Sequence, residues 1–393
     1  MYKIHAFYTD DGSVGLYSPH DNDIYHSVYG ALTESYEKFI LPINLKKFFS
    51  KKNKIKILDI CYGIGYNSKS FLNEYFKFFY NDTIHGDNIY PYTGKIYFDN
   101  IIPGLTIHAV DIDKNLVYLS PFFISNKKHV INNNIDFDKN KLIKKLSNKF
   151  STKYKLNKII NFLLLNKLAD GIDSDIEKIL FNPKNSKYFD KRLKEFYRLL
   201  KFKKVEFIPR INKLSFLHNI YYKYISLRHK KALNSLKLLD FNFKVDICDA
   251  RLVISRSKDL YDVIFLDAFS PDKSPCLWTL DFFKLLYEHL NDDGIILTYS
   301  SSARVRNAFL NAGFFIGKNI INENSCGTIA SKNKMLIKNE LSEFDLGLLK
   351  TKAGIFYRDE NLNASNEDII KNRNIEIKKS NLMSSTKYLK SLK

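Results

Sequence analysis

The 393-residue sequence predicts an α/β fold, a doubly wound and mostly parallel sheet with a helical insertion. Three observations carry that expectation. Short apolar runs recur along the chain, most of them ending in an acidic residue. Segments with helical spacing separate several of these runs. A Gly-x-Gly turn follows the first run and opens a helix.

The runs are IKILD at 55–59, LTIHAVD at 105–111, FKVDICD at 243–249, DVIFLD at 262–267 and GIILTYS at 294–300. Before the first, Asp10-Asp11-Gly12-Ser13 signals a turn, and Thr33 is placed to cap a helix whose apolar stripe is Tyr36, Phe39 and Ile40. Residues 68–75 continue the glycine turn as a helix. After the fourth run, Leu280, Phe283, Leu286, Tyr287 and Leu290 recur at helical spacing behind Thr279 as N-cap. After the fifth, residues 303–312 read as a helix closed by Gly313. Between the second and third runs the chain is Lys-rich, with apolar residues at helical spacing: Leu142, Ile143 and Leu146, then Phe196, Leu199 and Leu200. The organisation is thus a segment at 1–50 packing on the core, a core made of 51–113 and 239–333, a helical insertion at 114–238 and a polar tail at 334–393.

Apolar residues make up 45% of the chain, enough to bury a core. The net charge of +20 would draw polyanions such as RNA or DNA. A second reading stays open beside it, because Lys, Asn, Ile, Phe and Tyr are what AT-rich codons supply. The four cysteines form no Cys-x-x-Cys pair, so no zinc ribbon or other metal site is expected, and they read as reduced cytosolic thiols. The N-terminus opens no long apolar run, and the longest apolar stretches, such as 159–165, are too short for a bilayer. The expectation is a cytoplasmic protein without a membrane partner.

Chemistry concentrates at Leu58-Asp59-Ile60-Cys61-Tyr62-Gly63-Ile64-Gly65-Tyr66-Asn67. Gly63 and Gly65 can take positive φ and let the backbone approach a ligand, although a tight structural turn would look the same. Asp111 ends the second run, where a carboxylate can accept from ribose hydroxyls; Asp249-Ala250 ends the third, where it can accept from an adenine amine. Either Asp could simply begin a loop, less plausibly the whole series. No P-loop Lys-Ser/Thr is present, and Ser68 stands where a third glycine would complete Gly-x-Gly-x-x-Gly. An adenosine ligand without phosphates fits better than ATP or NAD, and S-adenosylmethionine (SAM) is the common one. The fourth run leads into Asp267-Ala268-Phe269-Ser270-Pro271-Asp272-Lys273-Ser274-Pro275-Cys276-Leu277-Trp278-Thr279. In this topology the loop leaves the strand beside the first, at the switch point, so Asp267 would face the sulfonium. Two prolines stiffen it, and Phe269 and Trp278 could form an aromatic wall.

This stretch resembles the methyltransferase domain of the MnmC family, which modifies the tRNA wobble uridine. The family pattern Asp-(Gly/Ala)-Phe-(Ala/Ser)-Pro-x-Lys-x-Pro-x-x-Trp-Thr is matched at Asp267, Phe269, Pro271, Lys273, Pro275, Trp278 and Thr279. Asp11-Gly12-Ser13, the segment at 25–34, Arg304-Val305-Arg306, Gly327-Thr328-Ile329 and the tail at 346–359 extend the likeness over most of the chain outside the insertion. They look like the stand-alone members, which lack the fused FAD-dependent oxidase domain, so no FAD is expected.

The resemblance implies a class I SAM-dependent, Rossmann-like enzyme that forms 5-methylaminomethyl-(2-thio)uridine by N-methylating a 5-aminomethyl group on tRNA. It implies that Asp267 positions the amine and takes its proton, that Phe269 or Tyr29 stacks on the base, and that Pro271 and Lys273 belong to the substrate loop. Gly63, Gly65, Asn67, Asp111, Asp249 and Ala250 would hold SAM, with Glu34 at its amino-acid end. His26 reads equally as a surface histidine. Lys203, Lys204, Arg210, Arg228, Lys230 and Lys231 would grip the tRNA backbone or form a solvated face. The family usually has Gly-Phe where this chain has Cys61-Tyr62. Cys61 is not expected to relax into positive φ, so a tighter or tilted turn is expected. Two rival readings are an aminopropyltransferase-like enzyme on a small amine and a non-catalytic RNA-binding protein with a decayed SAM site.

Overall fold

The computed structural model describes residues 5–18, 23–25, 28–80, 84–85, 88–89, 103–124, 154–156, 158–202, 240–321 and 324–392. His26, the Leu142 to Leu146 pattern and the six basic positions from Lys203 to Lys231 lie outside them.

The chain opens with an antiparallel meander of β1 (His5–Tyr8), β2 (Val14–Ser18) and β3 (Asp23–Ile24). Helix α1 (Ala31–Ser35) follows and continues through a π-helical turn, Tyr36–Ile40. The stripe expected on this helix is buried at Tyr36, Phe39 and Ile40. Thr33, however, is not the cap. Gly30 sits at the N-cap, and the Asp11 carboxylate reaches back from the first turn to accept from the Thr33 backbone N at 2.7 Å and its hydroxyl at 2.8 Å. A local capping rule missed this because the carboxylate comes from a residue 22 positions earlier.

After α2 (Leu45–Phe49) come β4 (Lys54–Ile60), α3 (Tyr66–Tyr80), β5 (Gly104–Asp111) and α4 (Lys114–Leu119). The insertion then supplies α5 (Lys158–Leu168), α6 (Ser174–Leu180) and α7 (Lys191–Phe202). The remaining order is β6 (Phe241–Ile247), α8 (Ala250–Ser255), β7 (Tyr261–Leu266), α9 (Leu280–Glu288), β8 (Leu290–Thr298), α10 (Ala303–Asn311), β9 (Phe315–Ile321) and β10 (Asn324–Ser331). Helices α11 (Glu343–Leu349), α12 (Asn366–Lys379) and α13 (Ser385–Ser391) close the chain.

The main sheet has seven strands in the order β9-β10-β8-β7-β4-β5-β6, with β10 antiparallel to both its neighbours. All five expected runs are strands, and β4 lies between β5 and β7, the reversal point of the topology. Alternation explains why these strands read as continuous apolar runs. Ile57, Val263, Phe265 and Leu297 pack into the cluster under α1 and α3, while Leu58, Ile264, Leu266 and Ile296 pack into the one under α9 and α10. Thr279 and Gly313 end their helices as expected: the Thr279 hydroxyl accepts from Phe282 N at 3.1 Å, and Gly313 takes φ 100°. Strands β9 and β10 were not anticipated. Polar residues interrupt both, Lys318-Asn319 in β9 and Thr328 in β10, so neither carries a buried-run signal.

The insertion joins the α3 side of the core, with Ile160, Leu164, Ile176 and Phe196 in the same apolar cluster as Phe71. The polar tail is likewise anchored: Tyr357 and Ile369 are buried against α9 and its neighbours. No helix among the described residues is long and apolar enough to cross a membrane.

Candidate active site

Residues at the carboxyl ends of β4, β5, β6 and β7 surround a cavity of about 1180 Å³. The β4 ladder leads into it: Cys61 N donates to Val110 O at 2.9 Å, and Asp267 N to Ile60 O at 3.3 Å. The turn then reverses through left-handed backbone at Cys61 (φ 63°), Gly63 (54°) and Gly65 (76°). The expectation for Cys61 is therefore corrected. It adopts the conformation its family counterpart would take as glycine, because the two ladder bonds and the buried strand end over-determine it; left-handed backbone costs an L-residue roughly 1–2 kcal/mol.

The two glycines do different work. A Cβ on Gly65 would lie 2.3 Å from the Tyr62 ring, so that glycine lets Tyr62 fold under the turn. A Cβ on Gly63 would meet nothing nearer than Tyr25 at 3.8 Å, so its backbone stands open toward the cavity. Gly63 N donates to Asp111 Oδ2 at 2.7 Å, and Asp113 N to Asp111 Oδ1 at 2.8 Å. Each oxygen of Asp111 keeps a second lone pair for a hydroxyl. Asp249 caps α8 and holds Arg251, with Arg251 Nη2 donating to Oδ2 at 2.7 Å.

Asp267 stands at the end of β7, where Asn67 Nδ2, from the first turn of α3, donates to its Oδ2 at 2.9 Å. Burial pushes this carboxyl up to about 7; Glu34 across the cavity adds to the push and the Asn67 amide opposes it. Asp59, beneath the turn, is pushed to about 8 by burial despite the Ser68 hydroxyl donating to it at 2.6 Å. Asp111 is pushed to about 6, again chiefly by burial. Three carboxyls thus converge behind one turn, and each is costly to ionise. A ligand that brings positive charge lowers that cost.

The cavity is lined by Glu34, Gly63, Asp111, Asp249, Ala250, Asp267, Phe269 and Lys273 of the residues expected from sequence. Gly65, Asn67 and Pro271 stand behind the lining: Gly65 under Tyr62, Asn67 on Asp267, and Pro271 buried within the loop. Tyr29 is 76% exposed and off the cavity. Tyr25 lines it instead, its ring 4.9 Å from that of Phe269. The β2–β3 pairing decides this, with Tyr25 N donating to Leu16 O at 2.9 Å, a long-range register invisible in a list of tyrosines.

Tyr299, Asp23, Cys276 and Asn366 also line the cavity and were missed as site residues. Tyr299 follows the strand end of β8 and donates to Ala268 O at 2.9 Å, and its position after that strand was the available signal. Trp278 does not form the wall. It is fully buried and donates from Nε1 to Phe269 O at 2.9 Å, fixing the loop that carries Phe269.

Fold and site define a SAM-dependent methyltransferase domain. Residues 212–333 match the family described as S-adenosyl-L-methionine-dependent methyltransferase. The residues present fit the donor: open backbone at Gly63, hydroxyl acceptors at Asp111 and a carboxyl-lined wall for a cation.

Within that class the chain is similar to MnmC proteins over part of its length. It is 38% identical over 88 residues to the tRNA 5-methylaminomethyl-2-thiouridine biosynthesis bifunctional protein MnmC of Campylobacter fetus, a match covering 22% of this chain and 14% of that one. It is 35% identical over 134 residues to an uncharacterized protein of Methanocaldococcus jannaschii, covering 34% of this chain and 38% of that one. The chain thus spans well under half the length of either relative. The crystal structure of MnmC2 from Aquifex aeolicus shares the fold, with a TM-score of 0.55 at 20% identity over 97% of this chain and 87% of that one.

Proposed function

We propose that the chain is a cytoplasmic tRNA methyltransferase that N-methylates the 5-aminomethyl group of the wobble uridine, forming 5-methylaminomethyl-(2-thio)uridine. The observation that carries the reading is the Asp267 carboxyl, oriented by Asn67 and standing in one cavity with the Tyr25–Phe269 aromatic pair. An aromatic pair suits a base taken out of its stack, and the carboxylate suits an alkylammonium. The MnmC relatives, named for tRNA 5-methylaminomethyl-2-thiouridine biosynthesis, support the same substrate.

SAM supplies a methyl group on a sulfonium, open to in-line displacement by a neutral amine. A primary alkylamine is mostly protonated near neutral pH and must first lose a proton. Asp267, ionised above about 7, accepts that proton at a carboxylate oxygen, and Asn67 holds the carboxylate toward the cavity. Tyr25 and Phe269 fix the base plane, while Trp278 and Tyr299 brace the loop through the carbonyls of Phe269 and Ala268. Alignment of amine and methyl carbon supplies most of the acceleration. The MnmC likeness disfavours the aminopropyltransferase and decayed-site readings.

The test is transfer of label from methyl-labelled SAM to tRNA lacking this modification, with nuclease mapping and Asp267→Ala alongside. Label in the wobble uridine with wild type and not with the variant is expected. No label in tRNA, with SAM bound, refutes the substrate.

A further inference from the structure

The π-helical turn Tyr36–Ile40 places Lys38 one turn beyond Glu34, and the two side chains form an ion pair. This is not an ordinary surface pair. Side-chain exposure is 24% for Lys38 and 15% for Glu34, and Glu34 lines the cavity. The Lys38 Nζ stands 5.5 Å over the centroid of Tyr299, itself a cavity residue. Its positive charge opposes the upward push that burial gives the Asp267 carboxyl. The backbone there is held from outside the helix: Asn319 of β9 is buried and donates from Nδ2 to Lys38 O at 3.0 Å. A π-helical turn inside an α-helix often marks a functional site.

Glu34 thus lines the cavity with a cation, Lys38, paired to it on the same helix face, near the carboxyl of Asp267. The amino-acid tail of SAM carries the same two charges on one carbon, an α-ammonium and an α-carboxylate. Such a zwitterion can enter by exchanging partners with the Glu34–Lys38 pair, leaving every charge matched and adding none. Three acidic groups, Glu34, Asp23 and Asp267, already face this end of the cavity, so the tail carboxylate needs a cation to be tolerated.

We propose that Lys38 binds the α-carboxylate of SAM while Glu34 binds its α-ammonium, so that the pair selects the intact amino-acid tail over its decarboxylated form. The inference rests on the reading of the cavity as a SAM site. Lys38 lies outside the glycine turn and the strand ends where SAM contacts were expected from sequence.

Calorimetric titration with SAM and with decarboxylated SAM, without tRNA, tests it. Wild type is expected to prefer SAM by about tenfold or more, the ratio a charge-assisted hydrogen bond supports. Lys38→Met is expected to bind the two within about twofold, through weaker SAM binding, and Lys38→Arg to keep most of the preference. Equal affinities in wild type, or an undiminished preference in Lys38→Met, overturn the proposal. If Lys38→Met does not fold, Lys38→Gln is read in the same way, and the wild-type ratio stands as a test by itself. Uptake of neither compound overturns the SAM reading and this one with it. Failure to methylate tRNA, with the preference intact, overturns only the substrate.

Discussion

Replacing Asp267 by Asn keeps the side-chain shape at the end of β7 and an acceptor for the Asn67 amide, which donates at 2.9 Å in the wild type. What it removes is the charge that can take a proton. Loss of a positioned general base costs about 10²–10⁴-fold in rate, so single-turnover methyl transfer should fall by that factor. The pH profile carries the sharper test. Burial raises Asp267 to about 7, and the ionised form is the active one, so wild-type kcat/KM should rise through that pH, roughly tenfold between pH 6 and 8. Wild type takes the amine in its protonated form, so the amine adds no slope below its own, far higher pKa. Asp267→Asn can use only the free amine, so its rate should climb about tenfold per pH unit and show no inflection near 7. Asn67→Ala removes a donor that holds the carboxyl down, so its inflection should move to higher pH. Rates within about tenfold of wild type, or an unchanged inflection in Asp267→Asn, would refute the general-base assignment.

Other consequences follow from neighbouring residues. Cys61 sits at φ 63°, so Cys61→Gly should be more stable than Cys61→Ala by roughly 1 kcal/mol in urea denaturation; equal midpoints would contradict the strain argument. Arg251 is buried between Asp249 and Asp359, each at 2.7 Å, and Asp359→Ala should cost about 3–5 kcal/mol, with a loss under 1 kcal/mol counting against a buried ion pair. Asp59 is raised to about 8 in the fold from an unfolded value of about 3.9, so folding takes up a proton. Its contribution is present in full below about pH 4 and is lost as pH rises toward 8. Asp59→Asn should therefore gain on wild type across that window by up to about 1.4 kcal/mol per pH unit, and parallel pH dependences would sink the claim.

Much of the frame was legible because it depends on local signals. The apolar runs at β4, β5, β7 and β8 needed both faces buried to make sense, and both are; edge strand β6 buries one face, with Asn242 and Lys244 exposed. The glycine turn after β4 and the Asp267 loop after β7 lay at strand ends, where this topology binds ligands. Strands β9 and β10 escaped because polar residues interrupt them, and Tyr25 escaped because a register between β2 and β3 aims it. Thr33 was read as a cap by its position, whereas the fold brings in Asp11 from 22 residues earlier.

The tail shows the same division. Its composition is polar, yet Asn366 lines the cavity and Asp359 completes the clamp on Arg251, 108 residues away in sequence. Sequence by itself determined five strands of the sheet, β4 to β8, and the position of Asp267 at a strand end, since periodicity and glycine turns act over a few residues. Tertiary structure decided which aromatic ring meets Phe269, that Cys61 accepts left-handed backbone, that Asn67 serves Asp267, and that Lys38 stands beside Tyr299, a cavity residue. Those outcomes depend on contacts between distant segments, whose geometry exists only once the chain has closed around its core.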